Sequence, residues 1–208
     1  MRLSIKSWLR TQFVVNIGAT VEFCRSEGYV SPARCKMKTR TKLKEFTIRT
    51  AVESDTAIIL SFIRELAEYE KLIEEVVATE ETLRESLFGK RKIAEVVIGE
   101  WEDRPVAFAL YFHNFSTFLS RPGIYIEDLY VKPEMRSKGI GKAMLSYIAR
   151  IAKERKCGRL EWSVLDWNEH AIRFYRSIGA VAMDEWTMQR ITGEPLENLA
   201  GECKQNQK

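Results

Sequence analysis

The sequence predicts a mixed α/β domain: a mixed sheet with helices on its faces. Three observations carry that prediction. Alternating apolar runs and helical stripes follow one another in the order β-α-α-β-β-β-α-β-α-β. The 208 residues, 45% apolar and 30% charged, suit one globular domain with a tail. A basic, glycine-interrupted turn, "RSKGIGK" (136–142), joins a strand pattern to a helical one.

Each element has its own signal. "FTIRTA" (46–51) alternates as a strand does. "ESDTAIILSFIRELAEYEK" opens on acidic and polar caps and repeats Ile58, Phe62, Leu66 and Tyr69 at helical spacing. "TEETLRESLF" (79–88) reads as a short helix with Thr79 as N-cap. "IAEVVIGEWEDRPVAFALYFHNFS" is a hairpin turning at Glu102–Arg104, and "GIYIEDLYV" (123–131) is a further strand. Residues 139–156 carry Ile140, Met144, Ile148, Ile151 and Ala152 on one helical stripe. "GRLEWSVL" is a strand, "NEHAIRFYRSI" a helix stopped by Gly179, and "WTMQRI" a last strand.

The net charge of +4 is unevenly spread. Residues 1–44 hold ten Lys/Arg against Glu22 and Glu27, a charge of +8; residues 45–208 hold 23 Lys/Arg against 27 Asp/Glu, a charge of −4. The chain therefore divides into a basic extension, 1–44, expected to be poorly ordered, and a mildly acidic domain, 45–208. The extension lacks a cleavable-signal layout. It reads as inert, or as a start-site artefact with Met37 as the true start, or as organelle targeting, or as a nucleic-acid-binding tail. No apolar run has the length of a membrane span. Cys24, Cys35, Cys157 and Cys203 form no CxxC pair, and two histidines are too few to complete a zinc site, so no metal is expected. A reducing cytoplasm is the simpler setting.

The turn at 136–142 is neither of the two common phosphate loops. Arg136 and Ala143 stand where a Walker loop needs Gly and Ser/Thr, and Met144 stands where a dinucleotide fingerprint needs its third glycine. Free amides at a helix N-terminus still attract an anion. Gly139 and Gly141 would let phosphate oxygens approach the backbone, and Arg136, Lys138 and Lys142 add positive charge. A metal-free pyrophosphate is the better ligand. The plainer reading is a glycine-eased turn with a solvated basic rim.

"VKPEMRSKGIGKAML" resembles the Arg/Gln-x-x-Gly-x-Gly/Ala coenzyme-A loop of the GCN5-related N-acetyltransferases, and "DWNEHAIRFYRSIGA" resembles their Asn-plus-Tyr helix. "ELAEYE", "IEDLYV" and "WNEHAIRFY" are more specific, and similar to the diamine (spermidine/spermine) and thialysine acetyltransferases. The likeness runs over roughly 46–200. It implies a mostly antiparallel sheet flanked by helices, acetyl-CoA as co-substrate, a small cationic amine as acceptor and a homodimer. Two departures stand out. The loop "FHNFSTFLSRPG" lacks the subgroup's tryptophan before the strand, and the acidic C-terminal segment is shorter here.

The resemblance also implies residue roles. Ser137, Ile140 and the other residues of 136–142 would hold the pyrophosphate, while Leu129, Tyr130 and Val131 would pair with the pantetheine arm as an added strand. Asn168, with Glu169, His170 and Ala171, would touch the cofactor; Asn168 is equally a helix cap. Tyr175 would be the general acid to the leaving sulfur; without the likeness it is an ordinary core aromatic. An alkylamine has a pKa near ~10.4 and arrives charged, so a carboxylate must hold it and help take its proton. Glu127 is the candidate base, beside Asp128 on a strand where alternation would send the two to opposite faces; the bland alternative is a pair of solvated rim charges. Tyr69, Glu70, Glu161, Trp162, Ser163 and Glu185 fall where the subgroup contacts substrate.

These readings converge on an acetyl-CoA-dependent N-acetyltransferase for a polyamine, diamine or lysine-like amino acid. An aminoglycoside or a protein N-terminus is the rival acceptor. A coenzyme-A-binding regulatory module with a nucleic-acid-binding tail is the rival class. Neither nucleic acid nor membrane is the expected partner.

Overall fold

A computed structural model describes residues 38–203 of the chain. The extension upstream of Lys38, with Cys24 and Cys35, lies outside the described residues.

Six strands form one sheet in chain order: β1 (Lys38–Arg40), β2 (Phe46–Thr50), β3 (Glu95–Trp101), β4 (Arg104–Ser116), β5 (Arg121–Val131) and β6 (Leu160–Trp162). Every neighbouring pair is antiparallel except β5–β6, which is parallel. Five α-helices are described: α1 (Thr56–Glu70), α2 (Glu80–Phe88), α3 (Ile140–Glu154), α4 (Glu169–Ser177) and α5 (Gly193–Gly201). The sheet thus begins at Lys38, inside the segment assigned from charge to the extension.

Two apolar layers hold the sheet. On one face α1 and α2 pack Ile59, Phe62 and Leu87 against Val96, Ile98, Phe108 and Tyr130. Phe62 stacks on Phe108 with ring centroids 5.3 Å apart. On the other face α3 lays Ile140, Met144, Ile148 and Ala152 over Ile48, Val97, Ala109, Ile124 and Ile126. Those α3 residues are the stripe read from the sequence, because i, i+4 spacing places them on one side of a helix.

Local chemistry fixes the element ends. Thr79 caps α2: its hydroxyl accepts from the Thr82 amide at 3.2 Å, and the Thr82 hydroxyl accepts from the Thr79 amide at 3.1 Å. The β3–β4 hairpin turns on Glu102 and Asp103, whose φ values of 48° and 63° are those of a two-residue hairpin turn. The start of α1 is tied to the sheet by a buried ion network. Arg49 of β2 holds Asp55 through Nη1 (2.6 Å) and Nη2 (3.0 Å), and holds Glu100 of β3 through Nε (2.7 Å). Lys38 of β1 reaches Glu100 at 2.7 Å and Asp103 at 2.6 Å.

The C-terminal third departs from the sequence reading. β6 is three residues long, against the eight of "GRLEWSVL". No strand forms at "WTMQRI"; the chain runs on irregularly and then forms α5. Alternation suits a segment to a strand but does not supply an edge for it to pair with. Here the side chains of Trp186, Met188 and Ile191 stand exposed.

Arg49 is 3% exposed and serves two carboxylates. Arg49→Ala leaves both buried charges short of a partner and should cost about 3–5 kcal/mol of unfolding free energy. Urea denaturation checks this; a loss below about 1 kcal/mol would show the network to be dispensable.

Candidate active site

The site begins with one extra residue. β4 and β5 pair Tyr111 with Ile126 and Leu110 with Asp128, so Glu127 has no partner across the ladder and forms a bulge. The bulge changes which side chains face which layer. Ile124 and Ile126 face α3 before it; Leu129 and Val131 face α3 after it; Tyr130 packs toward α1. On the other side, the parallel pairing of β5 with β6 ends at Ile126 and Trp162. The two chains then diverge, and a cavity of about 460 Å³ opens between them. That volume falls in the range of small-molecule sites.

Leu129, Tyr130 and Val131 form one wall of the split, and Trp162, Ser163, Val164 and Leu165 form the other. The second wall is pinned at its base, where Tyr125 Oη and Ser163 Oγ lie 2.6 Å apart. Among the described residues, no strand pairs beyond Ile126 with the side of β5 that faces β6. This leaves room for an extended ligand to pair as a strand would.

At one end of the cavity lies the glycine turn. Ser137 (φ 61°) and Gly139 (φ 81°) are left-handed, which folds the turn tightly into the first turn of α3. Gly139 is the N-cap of α3 and no side chain caps the helix, so the first amides point out uncapped. A Cβ on Gly141 would meet nothing nearer than Val131 Cγ2 at 4.0 Å, so the space above it is open. Arg136, Ser137, Gly139, Ile140, Gly141 and Lys142 all line the cavity. The Arg136 Nε donates to the Val131 carbonyl at 3.0 Å, and its guanidinium lies 4.4 Å from the Tyr69 ring centroid. An uncapped helix end, open space above a glycine and cationic side chains together fit a pyrophosphate.

The lining also carries an acidic group. Glu70, Glu127 and Asp128 all line the cavity. None of their side chains has a hydrogen bond or ion pair among the described residues. The nearby cations are engaged elsewhere: Arg136 as above, and Lys132 with Glu65 at 3.6 Å. Burial pushes the Asp128 carboxyl up to about 6, reinforced by Glu127 and then Glu70. Burial also raises Glu70.

Tyr175 on α4 also lines the cavity, half-buried, with its ring 5.0 Å from that of Trp162 and 5.4 Å from that of Phe174. Burial raises its phenol, with Tyr69 adding to the effect, so the hydroxyl keeps its proton at neutral pH. Asn168 caps α4, its Oδ1 accepting from the Ala171 amide at 3.2 Å, and with His170 and Ala171 it also lines the cavity. Capping the helix and lining the cavity are therefore compatible roles for Asn168.

Four expected residues lie outside the cavity lining. The Lys138 amine turns to the Trp101 ring, 5.4 Å away. Glu161 accepts from Arg159 (2.9 Å) and Asn114 (2.7 Å). Glu169 pairs with Arg173 one turn along α4 at 3.0 Å. Glu185 is exposed in the irregular segment before α5. Conversely, Leu66, Leu145 and Phe174 line the cavity although nothing in the sequence distinguishes them from other members of ordinary apolar stripes. Among the described residues no group of His, Cys, Asp or Glu is arranged to hold a metal ion, and no helix is long and apolar enough to cross a membrane.

Residues 61–180 match the model of the acetyltransferase (GNAT) family. Thialysine N-epsilon-acetyltransferase of Bos taurus is 40% identical over 165 residues, covering 74% of this chain and 96% of the relative. L-ornithine N5-acetyltransferase NATA1 of Arabidopsis thaliana is 31% identical, covering 73% of this chain and 86% of the relative. Among solved structures, an integron cassette protein from the mobile metagenome of V. cholerae superposes with a TM-score of 0.64 at 28% identity, covering 75% of this chain and 98% of that one.

Two outcomes follow from the site as built. Gly141 is helical with open space above it, so Gly141→Val should fold with little change in melting temperature. It should nevertheless lose most of its calorimetric affinity for acetyl-CoA; unchanged affinity would remove the loop from the binding site. Asp128 has the opposite signature. Its carboxyl binds a proton more tightly folded than unfolded, so native stability falls as pH rises from the unfolded group's ordinary ~3.9 to about 6, and the full cost is present above that. Asp128→Asn should therefore raise unfolding free energy at pH 7.5 by about 1–3 kcal/mol, since each tenfold difference in proton affinity is worth about 1.4 kcal/mol. That gain should vanish near pH ~3, where the carboxyl is protonated in both states.

Proposed function

The chain belongs to the acetyltransferase (GNAT) family and is an N-acetyltransferase, and from that premise we propose that it moves the acetyl group of acetyl-CoA to a primary amine of a small cationic acceptor. The acceptor class is a diamine, polyamine or lysine-like amino acid. The observation that carries this reading is the lining of one cavity, which combines an uncapped, basic, glycine-opened helix end with three carboxyls that have no ion-pair partner among the described residues. A ligand with a pyrophosphate suits the helix end and an alkylammonium suits the carboxyls. The names of the relatives, which act on thialysine and on ornithine, support a basic amino acid or diamine as acceptor.

In this reading the residues divide the work as follows. The α3 amides and the flanking basic side chains hold the pyrophosphate. The open side of β5 between Leu129 and Val131 aligns the thioester arm along the split. The carboxyl cluster of Glu70, Glu127 and Asp128 holds the ammonium and removes a proton, so that nitrogen can attack the acetyl carbonyl. The nitrogen–carbon bond forms, the carbon–sulfur bond breaks, Tyr175 gives its proton to the departing sulfur, and the second proton lost by nitrogen restores the Tyr175 hydroxyl. Attack is direct, with no acyl group carried by the protein. The enzyme works in the cytoplasm as a homodimer. The free Cys157 thiol supports a reducing setting, and the exposed Trp186, Met188 and Leu199 side chains support a second copy as partner.

Thiol release from acetyl-CoA should be measured over spermidine, putrescine, ornithine, lysine, thialysine and an aminoglycoside. Turnover is expected with the flexible diamines and basic amino acids. Turnover confined to the aminoglycoside would shift the acceptor class. Tyr175→Phe keeps the ring against Trp162 and removes the hydroxyl. Acetyl-CoA affinity should persist while turnover falls about 10²–10⁴-fold. Near wild-type turnover in the folded variant would return Tyr175 to a packing role.

A further inference from the structure

We propose that Asp128 is the group that accepts the amine's proton, while Glu127 and Glu70 hold the cation in place. This rests on the acetyltransferase reading above and refines it, because sequence alone points to Glu127 as the base.

The bulge separates the two adjacent carboxyls. Glu127 is the extra residue, out of the ladder and exposed to water. Asp128 returns to register opposite Leu110, half-buried, on the side of the sheet that α1 covers; two residues on, Tyr130 lies 6.1 Å from Phe62 of α1. The ionisable groups around it are Glu70 and Tyr69 at the end of α1, Glu127 and Tyr130 on its own strand, Arg136 in the loop, Lys142 in the first turn of α3, and His170 and Tyr175 on α4; Lys132, just past β5, pairs with Glu65 of α1 at 3.6 Å. Leu110 on β4 contributes no charge. Of the cations, Arg136 is bonded to the Val131 carbonyl and stacked on Tyr69, Lys132 is held by Glu65, and Lys142 makes no ion pair with Asp128. Asp128 thus has two carboxylates for neighbours, little water and no counter-ion among the described residues.

A general base works best when its pKa lies near the working pH. Burial and the two neighbouring acids bring Asp128 there, at about 6. Glu127 stands in water, where a carboxylate serves to attract a cation and to raise Asp128. The transfer balances simply. An ammonium N–H bond breaks, its proton goes to the Asp128 carboxylate and on to water, and its electron pair forms the bond to the acetyl carbon; the second proton that nitrogen sheds on becoming an amide restores the Tyr175 hydroxyl. The carbon–sulfur pair leaves with sulfur, which takes the Tyr175 proton.

The test is the pH dependence of kcat/KM with spermidine or ornithine, on the full chain, for wild type, Asp128→Asn, Glu127→Gln and Glu70→Gln. Wild type should lose activity below about pH 6 as Asp128 protonates. Asp128→Asn should lose that limb, fall about 10²–10⁴-fold at neutral pH, and follow the amine's own ionisation upward toward ~10.4. An acceptor amine of low pKa, which arrives uncharged, should partly rescue it. Glu127→Gln and Glu70→Gln should raise KM for the amine and keep the acid limb. Each should move that limb to lower pH, because a negative neighbour of Asp128 is gone. Those two shifts test the assignment even if Asp128→Asn does not fold. The proposal is overturned if Glu127→Gln abolishes the limb, or if folded Asp128→Asn retains both the limb and near wild-type turnover. Absence of thiol release by wild type with every amine would overturn the acetyltransferase reading itself, and the assignment with it.

Discussion

The site depends on one added residue in β5. An ideal ladder would keep β5 paired with β4 on one side and β6 on the other, and the sheet would be closed where the cavity now lies. Glu127 breaks the register against β4, and the β5–β6 pairing stops one residue earlier, at Ile126. A bulge bends its strand and sharpens its twist, so the break in register and the parting of the strands fall together. The unpaired side of β5, the first turn of α3 and the tyrosine of α4 are then brought to one opening. Removing the extra residue would return every side chain after it to the opposite face.

The opening is held by a rigid body and filled with uncompensated charge. Arg49, Asp55, Glu100 and Lys38 satisfy one another in a buried network that fixes β1, β2, β3 and the start of α1. The half-buried carboxyls of Glu70, at the far end of α1, and Asp128 have no such compensation among the described residues, and the exposed Glu127 adds a third negative charge beside them. The contrast is informative because burial of a charge is costly unless it is paired. In the first cluster the chain supplies the partners. In the second, a cationic ligand would supply them, and the native state carries the cost until one arrives.

Much of this is legible in the sequence, for local reasons. Thr79, Asn168, Gly139 and Gly179 act within a few residues of themselves, so caps and stops appear where the residue types predict them. The bulge leaves a trace as well, one that simple alternation overlooks. The apolar residues of "IYIEDLYV" fall at 124 and 126 and then at 129 and 131, a change of parity that a regular strand cannot accommodate. What escapes a sequence reading is long-range. The Arg49 network joins residues 51 positions apart, and Lys138 and Glu161 turn from the cavity to partners that proximity in the chain does not reveal. "WTMQRI" has the periodicity of a strand, but whether it pairs depends on an edge, which periodicity does not report.

The central claim is that a single split between β5 and β6 seats both reactants, with sulfur at Tyr175 and the acceptor nitrogen at Asp128. A crystal structure with a bisubstrate analogue, coenzyme A joined through an acetyl bridge to spermidine, tests it most directly. The account predicts pyrophosphate on the amides of 139–142, the bridge sulfur within hydrogen-bond reach of Tyr175 Oη, and the amine nitrogen beside the Asp128 carboxyl. A sulfur seated away from Tyr175, or a polyamine arm leaving the cavity without meeting Glu70, Glu127 or Asp128, would contradict it.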